Sequence, residues 1–460
     1  MSINSALLTG VSGLVANSAA LGGISDNIAN SNTVGYKRIV TQFEDLVTAG
    51  SSSRSYNSGG VQANTQRFVG EQGQFTQTAS STDLAISGNG FFVVTDKATS
   101  LTPVDVRSYT RAGSFSPDSA GYLKNAAGLY LQGWPADNSG VVSPDPSDLT
   151  RLQTINVQAL GNIPNPTASA AINANLNAAQ TISAQEATYD ATVPATSMAA
   201  YDPVAGTGVK PDFSTQVTVY DAKGSAHTFE LDFLRSSAAP NTWHAEMRAI
   251  PAADLTGTTN GLITSGVLAF NPNGTIDATN TTFSTSAIDI AASSAGAGVR
   301  WAAGLGLPDQ KIAFNLSTSP GGVTQYDSAS LTNSTSVDGG PAGTLTGVKI
   351  DKAGYVTATF SNGAQRRIAQ VALATFSNTD ALTAVSGDAY RASVDSGTFT
   401  LKTAGEGNTG AIAASSLESS TVDLSSEFTG LIVTQRAYAA SSKIISTADQ
   451  MLQELINTKQ

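Results

Sequence analysis

Hydrophobic residues recur every seven positions at the two ends of the chain and every two positions between them. Leu7, Leu14, Leu21 and Ile28 are spaced by sevens, with Val11 on the adjoining position. Leu424, Leu431, Tyr438, Ile445 and Leu452 repeat the spacing at the other end, with Phe428 and Ile456 four residues after members of that row. A seven-residue apolar repeat predicts an α-helix with a coiled-coil seam, and two such helices predict a pair. Ser18, Ser25, Gln435, Ser442 and Asp449 put small or polar groups at seam positions, which costs stability and fixes register. Gly10, Gly13, Gly22 and Gly23 also fall inside the first helix, each costing about 1 kcal/mol against Ala. That helix is expected to need a partner covering its aliphatic side chains.

Between the ends the period is two. Val217 and Val219, then Phe229, Leu231 and Phe233, alternate on either side of Asp221-Ala222-Lys223-Gly224. Val348 and Ile350, then Val356 and Ala358, flank Asp351-Lys352-Ala353-Gly354, and Asp118–Gly121 and Asn271–Gly274 have the same form. An Asx residue opening a turn that Gly closes in the left-handed region is hairpin chemistry. All 16 prolines lie between Pro103 and Pro341. The ends are therefore free to be helical, and the middle is punctuated like β structure. Segments 155–210 and 250–310 are weakly patterned and are expected to be loops and short strands. The fold class expected is mainly β with terminal α-helices. The helices pair as a coiled-coil inner domain, and the central region supplies two or more antiparallel β domains.

Composition narrows the function. The 460 residues carry 24 Lys+Arg against 35 Asp+Glu, a net charge of -11, and only 13% are charged, against about 25% in ordinary globular chains. That balance lacks the basic footprint of nucleic-acid binding. With 0 cysteines there is no disulfide frame, thiol nucleophile or sulfur-ligated metal. No apolar run is expected to reach the roughly 20 residues of a membrane span, so no membrane insertion is expected. The Met1 end lacks the basic stretch and unbroken apolar core of a cleaved signal peptide. His227 and His244 are the only imidazoles, and both read as strand-surface or turn residues. Gly88-Asn89-Gly90 precedes the apolar run Phe91–Val94, the reverse of a phosphate-binding fingerprint. No catalytic, cofactor-binding or metal-ligating set stands out, and the chain is not expected to be an enzyme.

The motifs resemble those of a known family. Asp26-Asn27-Ile28-Ala29-Asn30-Ser31-Asn32-Thr33-Val34-Gly35-Tyr36-Lys37 is similar to the N-terminal signature of bacterial flagellar rod and hook proteins. Ser87-Gly88-Asn89-Gly90-Phe91-Phe92 and Tyr109-Thr110-Arg111-Ala112-Gly113-Ser114-Phe115 resemble its next two blocks. Leu417-Glu418-Ser419-Ser420-Thr421-Val422-Asp423-Leu424 and Thr434-Gln435-Arg436-Ala437-Tyr438 resemble the C-terminal signature. The signature positions taken from the resemblance are Asn27, Ala29, Asn30, Gly35, Tyr36, Gly88, Gly90, Phe91, Asp423, Gln435 and Arg436. The match covers roughly 1–135 and 340–460, and its long middle resembles the hook members more than the shorter rod members.

The resemblance implies a chain that runs out and back: 1–34 with 420–460 as the inner helical domain and 35–80 with 405–419 as an extended linker. A β domain of 81–150 with 338–404 and an outer β insert of 151–337 follow. It implies self-assembly through the terminal seams into a curved tube, the hook, that acts as a universal joint and passes motor torque. The partners implied are copies of itself, rod proteins, the hook cap and the hook–filament junction proteins. Export through the flagellar type III apparatus without a cleaved signal is also implied, with Phe43 and Leu46, in Phe43-Glu44-Asp45-Leu46-Val47, as a candidate export segment. The competing readings are a distal-rod-like axial protein and a β-rich adhesin or phage-tail-like binding protein.

Overall fold

The computed structural model describes residues 3–46, 60–102, 105–137, 140–146, 148–283, 287–317 and 322–458. The chain divides into two compact units: Met1–Ala159 with Val348–Ala358 and Arg366–Gln460, and Leu160–Gly347 with Thr359–Gln365.

The first unit holds both long helices, α1 (Ile3–Ala29) and α2 (Leu424–Asn457). Asp423 caps α2, accepting from the backbone N–H of Ser425 at 2.8 Å and of Ser426 at 3.2 Å, so two orphan donors of the first turn are satisfied. Over Ser5–Ala29, α1 is long and apolar enough, by length and composition alone, to cross a membrane. The expectation that no such run exists is corrected here. Asp26 is the one charge in α1, and its Ala and Gly residues carry the stretch that the sparse leucines alone do not.

After α1, the strands β1 (Ile39–Asp45) and β2 (Val61–Arg67) pair antiparallel, with Ile39 opposite Arg67. Beyond them, an antiparallel sheet runs through strands Gln365–Val371, Tyr130–Pro135, Phe91–Thr95, Ser108–Thr110, Ala389–Arg391 and Thr383–Val385. Its core gathers Phe91, Val93, Tyr109, Trp134, Leu152, Tyr390 and Leu401. The two halves of the unit are stitched in sequence-distant pairs: Phe75–Gln77 with Ser416–Glu418, and Leu84–Ser87 with Ala411–Ala414.

The second unit is built on an antiparallel meander of β3 (Phe213–Tyr220), β4 (Ala226–Arg235), β5 (Thr242–Ile250) and β6 (Leu262–Ala269). One face of it carries Val217, Val219, Phe229, Leu231, Phe233, Trp243, Ala245 and Met247 into a core shared with Ile172, Leu176, Trp301 and Phe314. The opposing sheet centres on Ser169–Asn177, which pairs parallel with Gln310–Asn315 and Val323–Tyr326 and antiparallel with Leu331–Val337. This nine-residue strand lies where loops and short strands were expected. Its inward positions Ala170, Ile172, Ala174 and Leu176 do alternate, but alanine is too small to make the period conspicuous.

All four turns of Asx–Gly form are present. In each the Gly N–H donates to the opening residue's carbonyl, at 3.0 Å for Asp118, Asp221 and Asp351 and 2.9 Å for Asn271. The closing glycine has φ +82° at Gly224 and +83° at Gly354, a region that only Gly enters at no cost. His227 corrects an expectation. It is buried rather than on the strand surface, with Nδ1 2.7 Å from Asp254 Oδ2, Nε2 3.1 Å from Asp221 Oδ2 and its ring against Trp301. The same aspartate that opens the turn thus holds the imidazole. His244 is half-buried, 3.2 Å from Glu186.

Candidate assembly site

α1 and α2 pack antiparallel, with glycines of each helix facing side chains of the other. A Cβ added at Gly10 would stand 3.0 Å from Ile445 Cγ1, one at Gly13 3.0 Å from Ser441 Oγ, and one at Gly430 3.6 Å from Ile24 Cδ1. Ascending positions on one helix thus meet descending positions on the other. Gly10, Ala16, Ala20 and Gly23 are buried on α1, and Ala448 on α2. Backbones approach closely where side chains are small. The glycines that weaken α1 as an isolated helix are what let it dock. Gly23 faces the β1–β2 hairpin, where a Cβ would meet Ile39 Cγ2 at 3.4 Å.

Of the larger seven-spaced residues, Ile445 enters this contact against Gly10, and the others flank it or face away. Leu7, Leu14, Leu21, Ile28, Leu431, Ile445 and Leu452 are half-buried; Val11, Leu424, Phe428, Tyr438 and Ile456 are exposed. Leu8 and Val15 extend the exposed row on α1, and Ile432 and Val433 that on α2, at 52–65% exposure for these four. An apolar groove lined by Ala6, Ala440, Ile444, Ala448 and Met451 opens beside the pair. The sequence pattern locates the helices; which row lies inside is set by size, a signal present in Gly10, Gly13, Ala20 and Gly430 but outweighed by the more conspicuous leucines.

At the foot of the helices the signature residues converge. Asn27 is fully buried; its Nδ2 donates to Ile39 O at 2.7 Å, and its Oδ1 accepts from Ile39 N at 2.9 Å and from Tyr36 OH at 3.3 Å. One buried carboxylate, Glu418, then accepts from three separate stretches: Lys37 Nζ at 2.5 Å, Gly73 N at 2.8 Å and Arg111 Nη1 at 3.1 Å. Arg111 also donates to Ile86 O at 3.2 Å and to Gly88 O at 2.8 Å, and lies over the Phe91 ring. Lys37 further donates to Glu71 O. Burial lowers the pKa of both Lys37 and Arg111, and Glu418 opposes this in each case. Gly35 has φ +74°, and a Cβ there would lie 2.6 Å from Ala112 N, so the tyrosine–arginine block passes directly against the signature turn. Arg38 Nε reaches Glu427 Oε1 in the first turn of α2 at 2.7 Å, a favourable carboxylate position at a helix N-terminus.

The remaining signature positions lie around this junction or on α2. Ala29 ends α1 and is exposed. Asn30 donates to Asp26 O at 2.9 Å and accepts from Thr33 Oγ1 at 3.1 Å. Gly90 has φ +131° at the start of the strand Phe91–Thr95. Gln435 and Arg436 are exposed on α2, away from Glu418. Phe43 and Leu46 are exposed on and just after β1, at 51% and 45%, while Val47 lies outside the described residues. Glu418 itself was not among the residues the sequence nominated; its only signal was membership of the C-terminal motif.

Four family models match along the chain: flagella basal body rod protein over 7–37, the flagellar hook protein FlgE/F/G D1 domain over 85–174, the flagellar basal body protein FlaE D2 domain over 175–339, and the flagellar basal body rod FlgEFG protein C-terminal region over 413–458. The flagellar hook protein FlgE of Caulobacter vibrioides is 40% identical, with 100% of both chains covered. The chain belongs to the flagellar hook protein FlgE family. The FlgE proteins of Rhizobium meliloti, at 32% identity over 100% of each chain, and of Escherichia coli, at 29% over 99% of this chain and 100% of that one, agree. As a FlgE-family protein it is a structural subunit of the flagellar hook, a part of the motility organelle. The distal-rod and adhesin alternatives are set aside.

Proposed function

We propose that the exposed apolar rows of the α1–α2 pair carry polymerisation of the hook. The supporting observation is a division of labour within one helix pair. Glycines seated against Ile445, Ser441 and Ile24 make the internal contact, leaving Val11, Val15, Phe428 and Ile432 uncovered. Covering such side chains contributes about 1.5–3 kcal/mol each, and further copies of the same chain supply the cover. A contact between two different surfaces of identical subunits does not close, so it generates an open helical polymer. The hook then serves as a curved, bending coupling that passes torque from rod to filament. Its ends meet the rod proteins, the cap and the junction proteins. Delivery runs through the flagellar type III export apparatus without a cleaved signal, with Phe43 and Leu46 as its candidate recognition residues.

The test uses Val11→Asp and Phe428→Asp. Both sites are exposed in the single chain, so the subunit should keep its stability within about 0.5 kcal/mol. A charge at either position should abolish tube formation, scored by electron microscopy. Normal tubes from the folded variants would overturn the reading, as would normal tubes after deletion of residues 1–30.

A further inference from the structure

The second face of the β3–β6 meander is acidic and roofed. Antiparallel register places Ser214 opposite Asp232 and Asp232 opposite Glu246 across three strands; the next row is Gln216, Glu230 and Arg248. Asp232 and Glu246 are both fully buried. Side chains directly opposed on neighbouring strands start about 5 Å apart, and two carboxylates at that separation away from water resist double ionisation. A single guanidinium serves the group, with Arg248 2.7 Å from Glu230 and 3.1 Å from Asp232.

Segment 183–210 forms the roof, and it is seated on these same groups. Tyr189 OH donates to Glu246 Oε1 at 2.9 Å, and the Ala199 N–H to Glu246 Oε2 at 2.7 Å. Arg248 donates to Ala199 O at 3.3 Å. The Tyr189 ring packs against His244, which contacts Glu186. A small apolar cluster, Met198, Val209 and Leu234 with Tyr189 beside it, also holds the roof, together with bonds from Ser237 N and Oγ to Glu186 and from Asn260 Nδ2 to Pro194 O.

We propose that segment 183–210 is a proton-operated strap, seated while the Glu230–Asp232–Glu246 group holds one proton and loosened when that proton leaves. The charged and titratable groups facing the cluster are Arg248 and His244 from β5, and Glu186, Tyr189 and Asp190 from the strap. Burial pushes the Asp232 carboxyl up to about 7 and raises that of Glu246. Glu230 stays below its ordinary range; burial opposes this, and bonds from Gln216 and Arg248 outweigh it. An open strap admits water, and an acid then ionises near its ordinary value of about 4. Opening therefore releases a proton between the two values. The closed form is favoured at low pH, and the opening constant rises about tenfold per pH unit up to about pH 7, then levels off.

The experiment is amide hydrogen exchange of the full-length subunit between pH 5 and 7, corrected for the intrinsic rate. Strap amides should open about 50-fold more at the upper pH, while those of the strand Phe91–Thr95 show no slope. Asp232→Asn should flatten the strap profile. Tyr189→Phe should raise opening equally at every pH and keep the slope, which separates the proton effect from loss of a contact. A wild-type strap profile without slope, the same slope in both units, or an unchanged slope in Asp232→Asn would each overturn the proposal.

Discussion

Gly10 and Gly22 show how one residue type does opposite things on one helix. At position 10 the neighbouring helix begins 3.0 Å from where a Cβ would stand; at position 22 nothing lies within 4 Å. Gly10→Val should force the helices apart and cost about 1–3 kcal/mol by overpacking. Gly22→Ala should stabilise the subunit by up to about 1 kcal/mol, since only the helix penalty of glycine is removed. Thermal melts of the two variants, followed by circular dichroism at 222 nm, check both signs. The buried His227 makes a parallel point. Asp221 was read as the opener of a turn, and nothing local to it announces that its second oxygen also faces an imidazole ring.

At the scale of elements, the pattern of the chain told most of the story where apolar side chains are large. The helices, the four Asx–Gly turns and the β3–β4 hairpin were all legible in it, because period and turn chemistry are local. The strand Ser169–Asn177 and the row that α1 turns toward α2 were not, because both depend on how closely small residues let backbones approach. Glu418 was hidden for another reason. Its partners are far along the chain, and no local pattern reports a contact with Lys37 across 381 positions. That carboxylate binds the strand Ser416–Glu418 to three other stretches at once. Removing it leaves two buried cations without a counter-ion, so Glu418→Ala should cost about 3–5 kcal/mol. Denaturant unfolding of the monomer is the measurement, with Glu418→Gln expected to be less harmful because it keeps an acceptor for the Gly73 N–H.

For the whole molecule, sparse charge is a property of the polymer as much as of the chain. Each subunit carries a net charge of -11, and identical subunits in a tube present the same charges to one another. A surface of hydroxyls and amides keeps such contacts free of strong repulsion and of fixed ion pairs. Raising salt from about 50 mM to about 500 mM shortens the screening length roughly threefold, and it should leave the melting temperature of assembled hooks nearly unchanged. A steep salt dependence would show that ion pairs, not neutral contacts, hold neighbours together.

The partnership of Lys37 and Arg111 with Glu418 also sets a timetable. A chain delivered N-terminus first, whether from the ribosome or through a narrow channel, presents both cations long before the carboxylate that neutralises them arrives. The second unit, nearly continuous in sequence over Leu160–Gly347, has almost all its parts in hand much earlier. The first unit must wait for the final tenth of the chain. Its α1 keeps the apolar rows unmatched until α2 follows Glu418 out. The closing of the subunit and the maturing of the assembly face we propose for it are thereby tied to the same late moment.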